Sequence, residues 1–137
     1  MQQKNAKRVL EVVAGLIHSG DHFLACQRPP EKARALLWEF PGGKLEKGES
    51  NEACLARELK EELDVEAEIG EFLTENSHGY DFGTVHLSVY RVRSWSGDIK
   101  LTVHDDLRWV PLSELADFPN LLPADIPVAR ALEKILV

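Results

Sequence analysis

Four charged residues on one short stretch could do chemistry here: Arg57, Glu58, Glu61 and Glu62 stand in LARELKEELDV, just behind the glycine-bearing turn PGGKLEKGE. On an α-helix, which advances about 100° per residue, the three glutamates fall within an arc of about 100° on one face. Carboxylates so placed repel one another until a cation joins them. A hard ion such as Mg²⁺ takes oxygen ligands and keeps several of its waters, so the cluster suits a metal that also grips substrate phosphates. A solvated charged face is the commoner meaning of a Glu- and Lys-rich helix. The spacing of these charges relative to the turn argues for a site instead.

The surrounding sequence supplies elements that would position them. Ser50 is suited to cap a helix running to about Leu63, with Glu52 in its first turn and Leu55, Ala56, Leu59 and Leu63 on the opposite, core-facing arc. Upstream, Leu10 to Ile17 and Phe23 to Gln27 read as strands joined through HSGDH as a hairpin, followed by a loop through Pro29 and Pro30. Downstream, Ala67 to Leu73 and Thr84 to Val92 read as strands, and Asp105 to Val110 as a shorter one. PLSEL makes a brief helical turn and FPNLLPADIP a proline-punctuated loop. VARALEKILV closes the chain as an amphipathic helix with Val128, Ala131, Leu132, Ile135 and Leu136 on its apolar stripe. No linker divides the chain, so one domain over residues 1–137 is expected.

Composition narrows the classes further. With 137 residues and 44% hydrophobic content, the chain can bury one ordinary core and has little room for a second. A net charge of -7 speaks against stable binding to DNA or RNA, which normally needs a basic surface. Anionic ligands would instead be met locally by metal ions and a few cations, notably Arg28 and Lys44. Cys26 and Cys54 form no CxxC pair and read as small buried thiols in a reducing compartment. The polar start MQQKNAKR resembles no signal peptide, and no long apolar run follows. A cytoplasmic protein with no membrane attachment is the expectation.

From Gly43 there are five residues to Glu49, then seven to Arg57, followed by Glu58, apolar Leu59, one residue, Glu61 and Glu62. This pattern resembles the signature of the Nudix hydrolases, G-x5-E-x7-R-E-U-x-E-E-x-G-U with U apolar, and departs from it only at Asp64, where the family has glycine. Aspartate tolerates left-handed geometry better than most residues, so the departure is mild. WEFPGGKLEKGE and PADIPV also look like the MutT and CTP-pyrophosphohydrolase branch. The resemblance implies an α/β/α sandwich with a mixed central sheet. It also implies Mg²⁺-dependent hydrolysis, with Mn²⁺ as a substitute, of a nucleoside triphosphate to the monophosphate and pyrophosphate.

Carried over by position, the resemblance makes Glu58, Glu61, Glu62 and the Gly42 carbonyl metal ligands. Arg57 would orient the glutamates, Glu49 would support the loop, and Arg28 and Lys44 would contact phosphate. The general base stays open. Relatives often have a further glutamate where this chain has Val103, which leaves His104, Asp105, Asp106 or a box glutamate as candidates.

Substrate choice is expected at Glu39, Phe40, Leu87 and Asp125. Asp125 resembles a nucleobase contact, yet it also sits where an N-cap would begin the last helix, with Pro127 in the first turn. An ionised aspartate only accepts hydrogen bonds, which favours bases presenting N–H groups, such as cytosine, adenine or 8-oxoguanine. Phe40 would stack on the base or simply fill the core. A cytidine-type triphosphate and an oxidised purine triphosphate are the two substrate readings. Tyr80 keeps a dinucleotide or ADP-ribose hydrolase open, and a non-catalytic nucleotide sensor is the alternative of another class. The expected partner is a small nucleotide, and the expected state is a monomer or homodimer.

Overall fold

Apolar side chains alternate along the strands, and this alternation divides the core into two layers. The computed structural model describes residues 8–136. The opening polar stretch through Lys7, and Val137, which the sequence reading includes in its closing helix, lie outside the described residues. In chain order the elements are β1 (Val9–Leu16), β2 (His18–Ser19), β3 (His22–Gln27), β4 (Trp38–Glu39), β5 (Gly42–Lys44), α1 (Asn51–Leu63), β6 (Glu66–Tyr80), β7 (Gly83–Ser96), β8 (Asp106–Pro111), α2 (Leu112–Leu115) and α3 (Ile126–Ile135).

Along β1 and just past it, Ala14 and Leu16 face one layer while Val13 and Ile17 face the other. β7 divides in the same way, with Leu87 and Val89 opposed to Tyr90 and Val92, and β3 sets Phe23 and Ala25 against Leu24 and Cys26. A period of two puts successive residues on opposite faces, so strands apolar on both sides need cover on both sides. α3 covers the first face with Val128, Ala129 and Leu132, beside Leu115 of α2. α1 covers the second with Cys54, Leu55, Leu59 and Leu63. The result is the expected α/β/α arrangement with a mixed sheet.

That sheet runs β5-β1-β7-β6. β1 lies parallel to β7, with Val13 opposite Ser88, while β5 on β1 and β6 on β7 are antiparallel. In a second sheet β3 pairs with β2, β4 and β8, all antiparallel. The expected hairpin between the first two strands is therefore confined to His18–Ser19 and the start of β3. The chain changes sheets at Ile17, whose carbonyl accepts from Leu24 N at 2.9 Å.

Several boundaries differ from the sequence expectation. β6 and β7 run well past Ala67 to Leu73 and Thr84 to Val92, joined at Asp81 and Phe82. The stretch TENSHGY has no apolar alternation to mark it, and its strand form comes from the ladder to β7. β4 and β5 are too short to read from periodicity. On α3, Ala129 is buried and Ile135 is 44% exposed, so the apolar stripe is rotated from the expected one. On α1, Cys54 is buried and Ala56 only half-buried. Both cysteines are free and buried, as expected. Among the described residues, no helix is long and apolar enough to cross a membrane.

Leu59 is fully buried between α1 and the sheet, where a Cβ on Gly15 of β1 would come within 3.3 Å of it. Leu59→Ala should therefore cost about 2–5 kcal/mol. Urea denaturation measures this, and a loss under about 1 kcal/mol would mean that α1 is not clamped to the sheet as described.

Candidate active site

The acidic site begins with how α1 is started and stopped. Ser50 Oγ accepts from Ala53 N at 3.1 Å, which satisfies one of the free amides of the first turn. At the other end Asp64 adopts the left-handed conformation (φ 59°, ψ 39°), its N–H bonds to Lys60 O, and its carboxylate pairs with Lys60 Nζ at 3.1 Å. Aspartate thus performs the turn for which the resembled family uses glycine.

Between these caps Arg57 gathers the carboxylates. Its Nε and Nη2 grip the two oxygens of Glu49 at 2.6 and 2.9 Å, and Nη1 reaches Glu58 at 3.1 Å and Glu61 at 3.2 Å. Bidentate guanidinium–carboxylate pairs are among the strongest polar contacts in proteins. Glu49 also accepts from Glu46 N at 2.9 Å, which folds the glycine-bearing loop back on the helix. The hydrogen bond from Arg57 is the main reason the Glu49 carboxyl titrates low, at about 2. The stability this confers is present above the ordinary 4.5 and is lost as pH falls towards 2.

Glu58 and Glu62 turn into a cavity of about 680 Å³, within the usual range for a small-ligand site. Burial, then the charges of Glu39 and Glu58, push the Glu62 carboxyl up to about 9. Burial also raises Glu58, against the pull of Arg57. Crowded, dehydrated carboxylates of this kind are short of positive charge. A Cβ on Gly43 would overlap the Glu58 carboxyl group, so only glycine leaves room for that carboxylate beside the loop. Gly42 N donates to Glu62 at 3.3 Å. The donor set is all oxygen and fits a hard divalent cation. Among the described residues no three acidic, histidine or cysteine side chains already converge as a ligand set, in keeping with the turn of Glu58 and Glu61 towards Arg57.

The same cavity is lined by Arg28, Glu39, His104 and Asp125. Arg28 Nη1 meets Glu39 Oε1 at 3.1 Å, and His104 Nε2 meets Glu39 Oε2 at 2.9 Å. Deeper, Asp125 is 4% exposed, and its Oδ2 accepts from Phe40 N at 3.0 Å. Burial pushes the Asp125 carboxyl up to about 8. Phe40 and Leu87 belong to the core layer under α3 and also line the cavity. On the far wall Tyr80 stacks on Phe82 with rings 5.5 Å apart, and the Arg34 guanidinium lies 4.8 Å from the Tyr80 ring.

The NUDIX domain model matches residues 8–132. The chain belongs to the Nudix family. It is 38% identical over 124 residues to the CTP pyrophosphohydrolase of Escherichia coli K12, covering 90% of this chain and 91% of that protein. It is 42% identical over 119 residues to the putative 8-oxo-dGTP diphosphatase 2 of Mycobacterium tuberculosis H37Rv, covering 83% and 81%. The solution structure of the E. coli ORF135 protein superposes with a TM-score of 0.86 at 35% identity, over 97% of this chain and 94% of that one. A MutT protein of Methanosarcina mazei Go1 shares the fold, with a TM-score of 0.87 at 23% identity over 94% and 96%. The chain is thus a Nudix hydrolase, a class that acts on small nucleotides and generally works with a divalent metal.

Within this Nudix domain, the sequence-based site residues separate into groups. Glu58, Glu62, Gly42, Lys44, Arg28, Glu39, Phe40, Leu87, Asp125 and His104 all line the one cavity. Glu61 does not; it is exposed and paired to Arg57. Asp105 and Asp106 also stand outside the wall, with Asp106 Oδ1 accepting from the adjacent Leu107 N. Asp125 does not cap α3: it lies at the N-cap position in helical geometry and makes no side-chain cap bond, having turned to Phe40 instead. Arg34, Phe82 and Glu46 line the cavity without having been singled out from sequence. Only the register of the long β6–β7 hairpin brings its tip to the site, and no local pattern signals that.

Because Asp125 titrates at about 8 when folded and near 3.8 when not, its stability contribution is full below pH 3.8 and is lost as pH rises to 8. Asp125→Asn keeps an acceptor for Phe40 N and carries no charge. The variant should melt at or above the wild-type temperature, with an advantage that grows from pH 5 to pH 9. Melting curves at the two pH values check this; an advantage that shrinks with pH contradicts a neutral buried Asp125.

Proposed function

We propose that this chain is a Mg²⁺-dependent nucleoside triphosphate pyrophosphohydrolase, with Mn²⁺ as a substitute ion, that releases a monophosphate and pyrophosphate. We further read its substrates as cytidine-type or oxidised purine triphosphates, removed from the nucleotide pool. The observation that carries this reading is one cavity whose wall includes Glu58 and Glu62 of α1 and the buried carboxylate of Asp125, with Glu62 held at Gly42 and Asp125 at Phe40. That spacing of functions suits one nucleotide with its phosphates on the acidic loop and its base against Asp125. The names of the E. coli and M. tuberculosis relatives support both substrate readings.

In this reading Glu58, Glu61, Glu62 and the Gly42 carbonyl hold the ion, with Glu61 released from Arg57. When bound, Mg²⁺ neutralises phosphate charge and lowers the pKa of attached water. Arg57 keeps the glutamates oriented, and Glu49 holds the loop through Arg57. Arg28 and Lys44 meet the phosphate oxygens, which would otherwise repel a nucleophile. A box carboxylate orients the attacking water and takes its proton, because Val103 offers no charge, Asp105 and Asp106 lie off the cavity wall, and the His104 ring is engaged with Glu39.

The base pocket accepts N–H donors through Glu39, and through Asp125 once a bound donor draws its buried carboxyl into the ionised form, as the cytosine amino group and N7-H of 8-oxoguanine require. Tyr80, which would favour a dinucleotide, is used as wall: its hydroxyl accepts from Ala124 N at 3.1 Å and its ring stacks on Phe82. We also read residues 1–137 as one catalytic domain that works in the cytoplasm as a monomer or homodimer. The net charge of -7 argues against stable nucleic-acid binding.

Glu62→Gln should leave the melting curve intact and lower kcat by at least about 100-fold, as loss of an electrostatic group at the reacting phosphate would. The assay is product analysis on CTP and 8-oxo-dGTP with Mg²⁺. Monophosphate plus pyrophosphate from the wild type is expected; inorganic phosphate as the sole product, near-normal kcat in the variant, or tight nucleotide binding with no turnover contradicts the reading.

A further inference from the structure

His104 is a buried residue of the cavity wall to which neither the metal ligands nor the phosphate contacts assign a part. Its side chain is only 2% exposed, and Nε2 meets Glu39 Oε2 at 2.9 Å. Its other ring nitrogen, Nδ1, is buried with no hydrogen-bond partner among the described residues. Native folds rarely leave a buried polar atom unpaired, so an imidazole held at that cost has a use for its paired nitrogen. The loop around it is fixed: Asp105 N donates to Gln27 O at 2.9 Å, which ties the residue after His104 to the end of β3.

Glu39 is the recipient, and it is gripped from two sides. Arg28 takes Oε1 and His104 takes Oε2, while Arg28 is itself braced through Nε to Ala33 O at 2.9 Å. An ionised carboxylate has about four acceptor sites. With one partner on each oxygen, the remaining lone pairs belong to the cavity that Glu39 lines. Glu39 is next in sequence to Phe40, whose N–H is taken by Asp125. The two acidic groups therefore stand on adjacent positions of the same floor.

We propose that His104 is a positioning residue that acts through Glu39, fixing this carboxylate as an acceptor towards the nucleoside and so setting the preference for a base that presents an exocyclic amino donor over one that presents a carbonyl in its place. The inference rests on the triphosphate reading above. It assigns His104 to selection of the base, and no proton transfer at the reacting phosphorus is required of it. A site built to receive a hydrogen-bond donor discriminates against an analogue that lacks one, because the acceptor is then left buried and unpaired. If the acceptor swings free, that discrimination falls.

The test compares CTP, which carries an exocyclic amino donor, with UTP, which carries a carbonyl in its place, using the full chain. His104→Leu should lower the CTP-over-UTP ratio of kcat/KM by about tenfold, mainly through KM, with kcat for CTP held within about threefold. His104→Gln, which can donate from its own Nε2, should keep the ratio within about threefold of wild type. On a Glu39→Gln background, His104→Leu should change the ratio no further. Equal losses on both substrates, a loss confined to kcat, or full additivity with Glu39→Gln would overturn the proposal.

A second readout needs no turnover. Nitrogen NMR of the His104 imidazole should show a proton on Nε2 in slow exchange, and Glu39→Gln should shift that signal. A proton on Nδ1 with Nε2 bare would overturn the contact itself. If the wild type hydrolyses none of CTP, UTP and 8-oxo-dGTP, the triphosphate reading fails and the selectivity proposal falls with it; turnover of 8-oxo-dGTP alone keeps that reading and overturns the selectivity proposal, while the imidazole spectrum in either case decides whether His104 holds Glu39.

Discussion

One guanidinium organises the acidic end of this protein. Arg57 holds Glu49 with two nitrogens and reaches Glu58 and Glu61 with the third, so loop and helix are fixed to each other through a single planar group. Lysine cannot do this, since it offers a point charge with no fork of donors. The pair also explains why the turn before α1 closes as it does. Glu49, held by Arg57, takes the Glu46 amide, and the loop then lays Gly42 and Gly43 against the Glu58 and Glu62 carboxylates. The two glycines are needed for contact: a Cβ at Gly43 would strike Glu58, and one at Gly42 would strike the β1 backbone at Val13 and Ala14.

The rest of the site is an exercise in buried negative charge. Glu62 and Asp125 both sit where water is scarce, and both are pushed towards the neutral form by burial first. Glu39 stands between them and adds to the shift of each. An arrangement of this kind is costly without a ligand and becomes favourable with one that brings cations or N–H donors. In the proposed reading a cation would answer the acidic loop, and a base with N–H groups would answer Asp125 and Glu39. The cavity wall takes in both the glycine loop and the tip of the β6–β7 hairpin.

Much of this was legible because it is local. The spacing from Gly43 to Glu62, the Ser50 cap and the left-handed Asp64 all depend on residues within a few turns of one another, and each stands as read. The strand character of β1 and of the first part of β7 was legible for the same reason. What escaped depends on distant pairing. The seven polar residues of TENSHGY carry no strand pattern, so Tyr80 and Phe82 could not be placed at the cavity until the ladder to β7 fixed them. Asp125 has the right position for a cap, and only the approach of Phe40 from 85 residues away shows that its side chain turns elsewhere. His104 does lie in the loop before β8, and nothing in the sequence signals that Glu39, 65 residues away, meets its ring. Periodicity also misjudged α3, where Ala129 is buried and Ile135 is exposed.

The central claim is that a divalent cation is held between the glycine loop and the face of α1. Substoichiometric Mn²⁺, which broadens nearby resonances, tests this most directly on the full chain. The amide signals of Gly42, Gly43, Glu58 and Glu62 should disappear first and return when excess Mg²⁺ is added. Broadening that begins at Asp105 and Asp106, or spreads evenly over exposed acids such as Glu66 and Glu68, would contradict the account.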